Sequence, residues 1–271
     1  MGTAAFGRPF TAELRDWILA QAAAGCQRQD MLRAMAASGW PAAAARAALQ
    51  YLLHPQPPRP APTPAAGATC GGRPVQTLLQ LGHPRLALFG GLLSGAECDR
   101  LVELARPRLQ RAQTVDARSG GNQVNLARSG DAAAFARAET PLIDALEQRI
   151  AALLNWPARL AEGLQVMRSR PGAQYRPHYD YFDPADPGGA ALLRQGRQRV
   201  ATLLIYLNTP VRGGATVLPD ADLSIDAVKG QALFFGYDRP HPATRTLHGG
   251  APVIEGEKWV VAKWLLEADP A

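Results

Sequence analysis

Three cysteines in 271 residues, Cys26, Cys70 and Cys98, are too few and too scattered for a disulfide framework or a zinc cluster. Cys98 falls in a stretch that reads as helix, where a lone thiol serves as a small core residue. No run approaches the roughly 18 apolar residues of a membrane span. The opening Met1-Gly2-Thr3-Ala4-Ala5-Phe6-Gly7-Arg8-Pro9 also lacks a basic segment followed by an apolar one. The expectation is a cytoplasmic protein with no membrane partner. Missing too is any Lys/Arg-rich run with interleaved aromatics, so the net charge of +6 is mostly dispersed arginine. Such a charge speaks to solubility and steering and does not point to a nucleic-acid partner. No internal repeat is evident.

What is present begins with helix. Thr11 is a plausible N-cap for a first helix whose Leu14, Trp17, Ile18 and Ala22 share one face, and Gly25 ends it. A second helix is expected after Asp30, carrying Met31, Leu32 and Met35 to Gly39-Trp40, and a third after Pro41 with Ala45, Ala48, Leu49 and Leu52 on one face. Three short helices with a Gly-Trp turn resemble the ubiquitin-associated type of bundle, which implies a protein partner for the N-terminal helices; a bundle that only packs on the rest of the chain is the alternative expectation. Pro55-Gln56-Pro57-Pro58-Arg59-Pro60-Ala61-Pro62-Thr63-Pro64 cannot continue a helix. The expected organisation is therefore a small helical domain at 1–54, a Pro-rich linker at 55–74 and a larger domain at 75–271. In the larger domain Ser94-Gly95-Ala96-Glu97 spells a capping box before Cys98 to Leu104, and Thr140 to Leu154 reads as a helix with Pro141 at its first position. From Gly163 onward short runs of Val, Leu, Ile, Tyr and Phe between Gly and Pro predict a β-sandwich or jelly roll.

Histidine is scarce, with five in the chain. His178-Tyr179-Asp180 is the informative placement, because residues two apart in a strand share a face, so His178 and Asp180 could hold one ion while Tyr179 points away. A third ligand must come from a distant strand, and both His241 and His248 lie in that region. Two imidazoles and a carboxylate form the facial triad of non-haem Fe(II) oxygenases. His54 and His83 lie apart from this region. Lys258 alternates with Trp259, so the two face opposite sides, and an inward lysine needs an anionic partner because a buried unpaired charge is costly. Lys263, an odd number of positions on, should face away from Lys258.

The text around these residues is similar to the prolyl 4-hydroxylase family of Fe(II)/2-oxoglutarate dioxygenases over roughly residues 80 to 266. Gln165 to Arg168, Pro171 to Phe182, Arg199 to Asn208, Gly213 to Pro219, Leu247 to Val253 and Gly256 to Trp259 carry the resemblance, in the family's order. It implies an α+β double-stranded β-helix (jelly roll) domain with supporting helices. It also favours His248 over His241 as third ligand, since Gly-Gly-Ala-Pro-Val follows His248 and Lys258 stands ten residues on. By the same resemblance Lys258 would bind the C5 carboxylate of 2-oxoglutarate, and His178, Asp180 and His248 would be the catalytic iron ligands. Fe(II), 2-oxoglutarate and O2 are the implied cofactors, with ascorbate as a candidate addition. The implied reaction releases succinate and CO2 and hydroxylates a proline in a peptide or protein. The chain departs from the family at Ser169, where relatives carry a tyrosine that reaches the cosubstrate. Tyr206 or Thr216 could supply that hydroxyl. Tyr175, Arg199 and Arg128, the last in an Arg-Ser resembling the family's Arg-Thr-Ser, are candidates for substrate contact. A nucleic-acid demethylase of the same cofactor chemistry and a non-catalytic binding module are the alternative expectations.

Overall fold

The computed structural model describes residues 11–53, 59–62, 69–70, 72–115, 121–124, 128–196 and 198–267. Contacts divide the chain at Pro57/Pro58 into two units. The first holds α1 (Ala12–Ala23), α2 (Arg28–Ala37) and α3 (Ala42–Leu53). The Thr11 hydroxyl caps α1 by accepting from the Leu14 N–H at 3.3 Å. Gly25, at φ +80°, turns the chain out of the helix in a conformation that side chains resist. Ile18 is fully buried with Met31, Met35, Ala45, Ala48 and Leu49, while Leu14, Trp17 and Ala22 are half-buried. α2 starts two residues before Asp30. The N–H groups of Asp30 and Met31 both donate to the Gln27 carbonyl, so Asp30 lies in the first turn and pairs with Arg33.

The described part of 55–74 belongs to the second unit and is no free linker. Arg59 donates to the Asp238 carbonyl at 2.7 Å and to the Glu267 carboxylate at 2.7 Å. The Ala61 N–H donates to the Leu154 carbonyl, and Cys70 is buried in the main core. His54 lies outside the described residues.

Among the described residues this unit holds an eight-stranded sheet, a four-stranded sheet, three two-stranded pairs of short strands, and covering helices. α4 (Gly95–Ala105) carries the complete capping box: Ser94 accepts from the Glu97 N–H at 3.2 Å and Glu97 accepts from the Ser94 N–H at 2.7 Å. α5 (Pro141–Leu154) opens on Thr140 and Pro141, and a short α6 (Pro187–Leu193) lies where no helix was expected. The strands of the two larger sheets are β1 (Gln76–Leu81), β2 (Arg85–Gly90), β3 (Gln110–Arg111), β4 (Asp131–Phe135), β5 (Leu164–Ser169), β6 (Tyr175–His178), β7 (Arg199–Tyr206), β8 (Thr216–Leu218), β9 (Leu223–Ile225), β10 (Ala232–Gly236), β11 (His248–Gly250) and β12 (Lys258–Leu266). The large sheet runs β1-β2-β10-β7-β12-β5-β4-β3 and the small one β6-β11-β8-β9, with every pairing antiparallel.

β7 shows why the layers stack. Its Ala201, Leu203 and Ile205 enter the core with Cys98 and Leu101 of α4 and Ile143, Leu146 and Ile150 of α5, while Leu204 and Tyr206 enter a second core with Leu218 of the small sheet. A strand buried on both faces has alternate residues feeding two cores. Four strands of the large sheet precede Gly163, ahead of where the pattern reads as strand. β1 is a largely exposed edge, and β4 is the alanine-rich Asp-Ala-Ala-Ala-Phe, so pairing partners rather than intrinsic preference make it extended. Among the described residues no helix is long and apolar enough to cross a membrane.

Candidate active site

His178 closes β6, His248 opens β11, and the two are direct partners in the antiparallel register. Asp180 lies just past the end of β6, not within the strand, so the turn after His178 rather than strand alternation aims it. The small sheet thereby gathers one atom from each of the three within 4.8 Å of one another. His178 Nε2 is 3.4 Å from Asp180 Oδ1, and His248 Nε2 is 3.4 Å from Asp180 Oδ2. Close strand approach is required here. A Cβ on Gly249 would meet the Tyr175 carbonyl oxygen at 2.8 Å.

Backbone carbonyls orient both imidazoles. His178 Nδ1 lies 2.9 Å from the Arg176 carbonyl and His248 Nδ1 lies 3.1 Å from the Thr246 carbonyl. A carbonyl can only accept, so each Nδ1 bears a proton and each Nε2 is the nitrogen turned toward Asp180. Burial pushes the His248 imidazole down to about 4, which keeps it neutral at pH 7. Burial opposes ionisation of Asp180, yet His248, His178 and Arg199 hold its carboxyl well below the usual range. Two imidazole nitrogens and one buried carboxylate are the donor set that suits a divalent transition metal, and they fit iron.

A cavity opens beside this cluster, lined by Arg128, Tyr175, Met167, Trp264, Ser169, Thr216 and Lys258 among others. Lys258 is only 6% exposed, and burial pushes its ammonium down to about 8. Among the described residues no carboxylate pairs with it. Its Nζ donates to Thr216 Oγ1 at 3.4 Å and lies 5.6 Å from the Tyr206 ring centroid. Tyr206, fully buried behind Thr216, donates its hydroxyl to Thr216 Oγ1 at 2.9 Å. Ser169 stands directly across from Lys258 in the β5–β12 register.

The other expected residues divide. Tyr175 stacks on His178 with centroids 3.8 Å apart, and Arg128 lies over the Tyr175 ring at 5.1 Å and donates to Gln165 Oε1 at 2.6 Å. Arg199 does not line the cavity. It is bound to Glu162 at 2.7 Å, lies 4.2 Å from the Trp264 ring, and donates to the Asp180 carbonyl at 3.4 Å, so it braces the loop that carries Asp180. His241 Nδ1 accepts from the Ala243 N–H and is not one of the three grouped ligand residues. Tyr179 turns away as expected and donates to Asp220. Thr202, which the sequence reading does not single out although a threonine within the apolar run of β7 is a legible sign, donates to Asp180 Oδ2 at 2.7 Å.

A jelly roll that presents two histidines and an aspartate to a cavity defines a non-haem iron oxygenase. A family model for the 2OG-Fe(II) oxygenase superfamily matches residues 164–266. Prolyl 4-hydroxylase 1 of Arabidopsis thaliana is 38% identical over 200 residues, 67% of this chain and 69% of that one. Prolyl 4-hydroxylase 2 of the same plant is 35% identical over 205 residues, 67% of each. The viral collagen prolyl hydroxylase from Paramecium Bursaria Chlorella virus-1, solved as its 2OG complex, superposes with a TM-score of 0.51 at 29% identity, covering 68% of this chain and 96% of that one. The chain belongs to the prolyl 4-hydroxylase family of 2-oxoglutarate- and Fe(II)-dependent dioxygenases. Its cofactors are those of the family, Fe(II), 2-oxoglutarate and O2.

Proposed function

We propose that His178, Asp180 and His248 hold the iron, that Lys258 and Thr216 anchor the C5 carboxylate of 2-oxoglutarate, and that the enzyme hydroxylates a prolyl residue of a peptide or protein. The observation that carries this reading is the buried Lys258 ammonium on the cavity that the histidines and Asp180 also line. When bound, Fe(II) and 2-oxoglutarate supply the oxidation, which consumes O2 and releases succinate and CO2. The chain's own part is positioning. Lys258 offers a charge-assisted bond, and Thr216, accepting from Tyr206 and Lys258, keeps its own proton to donate to the same carboxylate. Tyr206 thus acts from behind Thr216, and Ser169 leaves open the space across from Lys258. Tyr175 and Arg128 form the wall nearest His178, where a substrate backbone would lie. Met167 and Trp264 add to the cavity lining apolar surface suited to a pyrrolidine ring. The N-terminal helices, as a separate unit, would recruit a protein partner.

The test is succinate formation from 2-oxoglutarate with Fe(II), with and without proline-containing peptides. Succinate that rises with such peptides, together with a 16 Da gain on proline, supports the reading. Succinate stimulated instead by single-stranded nucleic acid, in a salt-sensitive manner, would replace it with the demethylase alternative.

A further inference from the structure

Asp180 faces two demands: one of its oxygens must reach a metal, and the other must be kept from doing the same. Its carboxylate can only accept hydrogen bonds when ionised. The 2.7 Å contact from Thr202 Oγ1 to Oδ2 therefore uses the threonine proton. With that proton committed, Thr202 can only accept in its second contact, the 3.0 Å one to the Tyr237 hydroxyl. The direction of the chain is settled by elimination: Tyr237 donates to Thr202, and Thr202 donates to Asp180. Thr202 is 0% and Tyr237 1% exposed, so water does not compete for either bond. Tyr237 is itself fixed by its N–H donating to the Val200 carbonyl at 3.0 Å, which ties it to the same strand as Thr202.

We propose that Thr202, held by Tyr237, is the positioning residue that occupies Asp180 Oδ2 and leaves Oδ1 as the single carboxylate ligand to the metal. The proposal rests on the reading of His178, Asp180 and His248 as metal ligands. A carboxylate held to one oxygen fills one coordination position instead of two, which keeps places open for cosubstrate and O2. The imidazoles are oriented by backbone, whereas Asp180 depends on this side-chain relay for the orientation of its carboxylate.

The experiment titrates the full chain with Co(II), reading affinity and the visible ligand-field spectrum, alongside thermal melts. Thr202→Val keeps the shape and the β-branching but removes the hydroxyl. It is expected to weaken metal binding by about 10- to 100-fold, the usual effect of losing such an outer partner, and to change the spectrum as the carboxylate becomes free to bind through both oxygens. Thr202→Ser should restore affinity and spectrum, and Tyr237→Phe should give a smaller loss in the same direction. Wild-type affinity and an unchanged spectrum in Thr202→Val would overturn the proposal. If Thr202→Val does not fold, Tyr237→Phe decides, and wild-type behaviour there overturns it equally. His248→Ala separates the two levels: metal binding lost in that variant but untouched in Thr202→Val sinks the relay alone, whereas a wild-type protein that binds no Co(II) sinks both readings.

Discussion

Among the described residues no carboxylate pairs with the buried Lys258, and in the proposed reading its charge serves a ligand rather than the fold. Lys258→Ala is expected to weaken 2-oxoglutarate binding about 10- to 150-fold, the equivalent of a charged hydrogen bond worth roughly 1.5 to 3 kcal/mol, with iron binding retained. Titration of the charge-transfer absorbance of the Fe(II) protein reads this directly. The depressed lysine also sets a pH dependence. Its folded value of about 8 lies below the usual 10.5, so between those limits the unfolded chain binds more protons and the cosubstrate-free protein gains stability as pH rises. Cosubstrate affinity moves the other way. Above pH 8 the free lysine is neutral and must regain a proton to meet the carboxylate, so affinity should fall by up to about tenfold per pH unit. The slope should vanish in Lys258→Ala, and a slope that survives there would assign it to another group. At the ligands, Ala at His178, Asp180 or His248 should abolish stoichiometric Fe(II) binding while His241→Ala keeps it. The reverse pattern at the two later histidines would overturn the assignment.

β12 carries two buried lysines that point in opposite directions, and they do different work. Lys263 is 1% exposed and paired with Glu147 of α5, whose carboxylate also accepts from the Ala138 N–H at 2.9 Å. Removing one partner strands a buried charge, so Lys263→Met should cost about 3 to 5 kcal/mol in denaturant unfolding and leave 2-oxoglutarate affinity unchanged. An equal loss of cosubstrate affinity would contradict the strand's alternation. In the small sheet, Gly249→Ala should lower metal affinity without touching a ligand, because its Cβ would push β11 from β6 and separate His248 from His178. These directions were legible in sequence wherever alternation applied, as at Lys258, Trp259 and Lys263. The helix caps at Thr11 and Ser94 were legible because capping is equally local in sequence. Asp180 was not, since it sits beyond its strand. The early strands were hidden because β4 is alanine-rich and β1 exposed, and Arg199 read as a substrate contact because its partner Glu162 is 37 residues away in sequence.

For the whole molecule, the proline-rich segment is a boundary only at its start. A chain beginning at Pro58 should fold, bind Fe(II) and turn over 2-oxoglutarate, because it keeps Arg59 on Asp238 and Glu267, and Cys70 in the core. A chain beginning at Arg73 loses those contacts and should melt at a lower temperature. Equal melting temperatures for the two would return the segment to the role of linker. Insoluble protein from the Pro58 version would make the N-terminal helices part of the catalytic core.

The carbonyl clamps on the two imidazoles also bear on how this centre withstands sequence drift. Arg176 and Thr246 hold His178 and His248 through main-chain oxygens, which every residue type possesses. A substitution at either position keeps the clamp as long as the strand keeps its path. Asp180 has no such insurance, since the hydroxyl on Oδ2 belongs to a side chain. Random change beyond the ligands themselves therefore reaches the proposed metal centre through the side chain at position 202, on a strand buried on both faces.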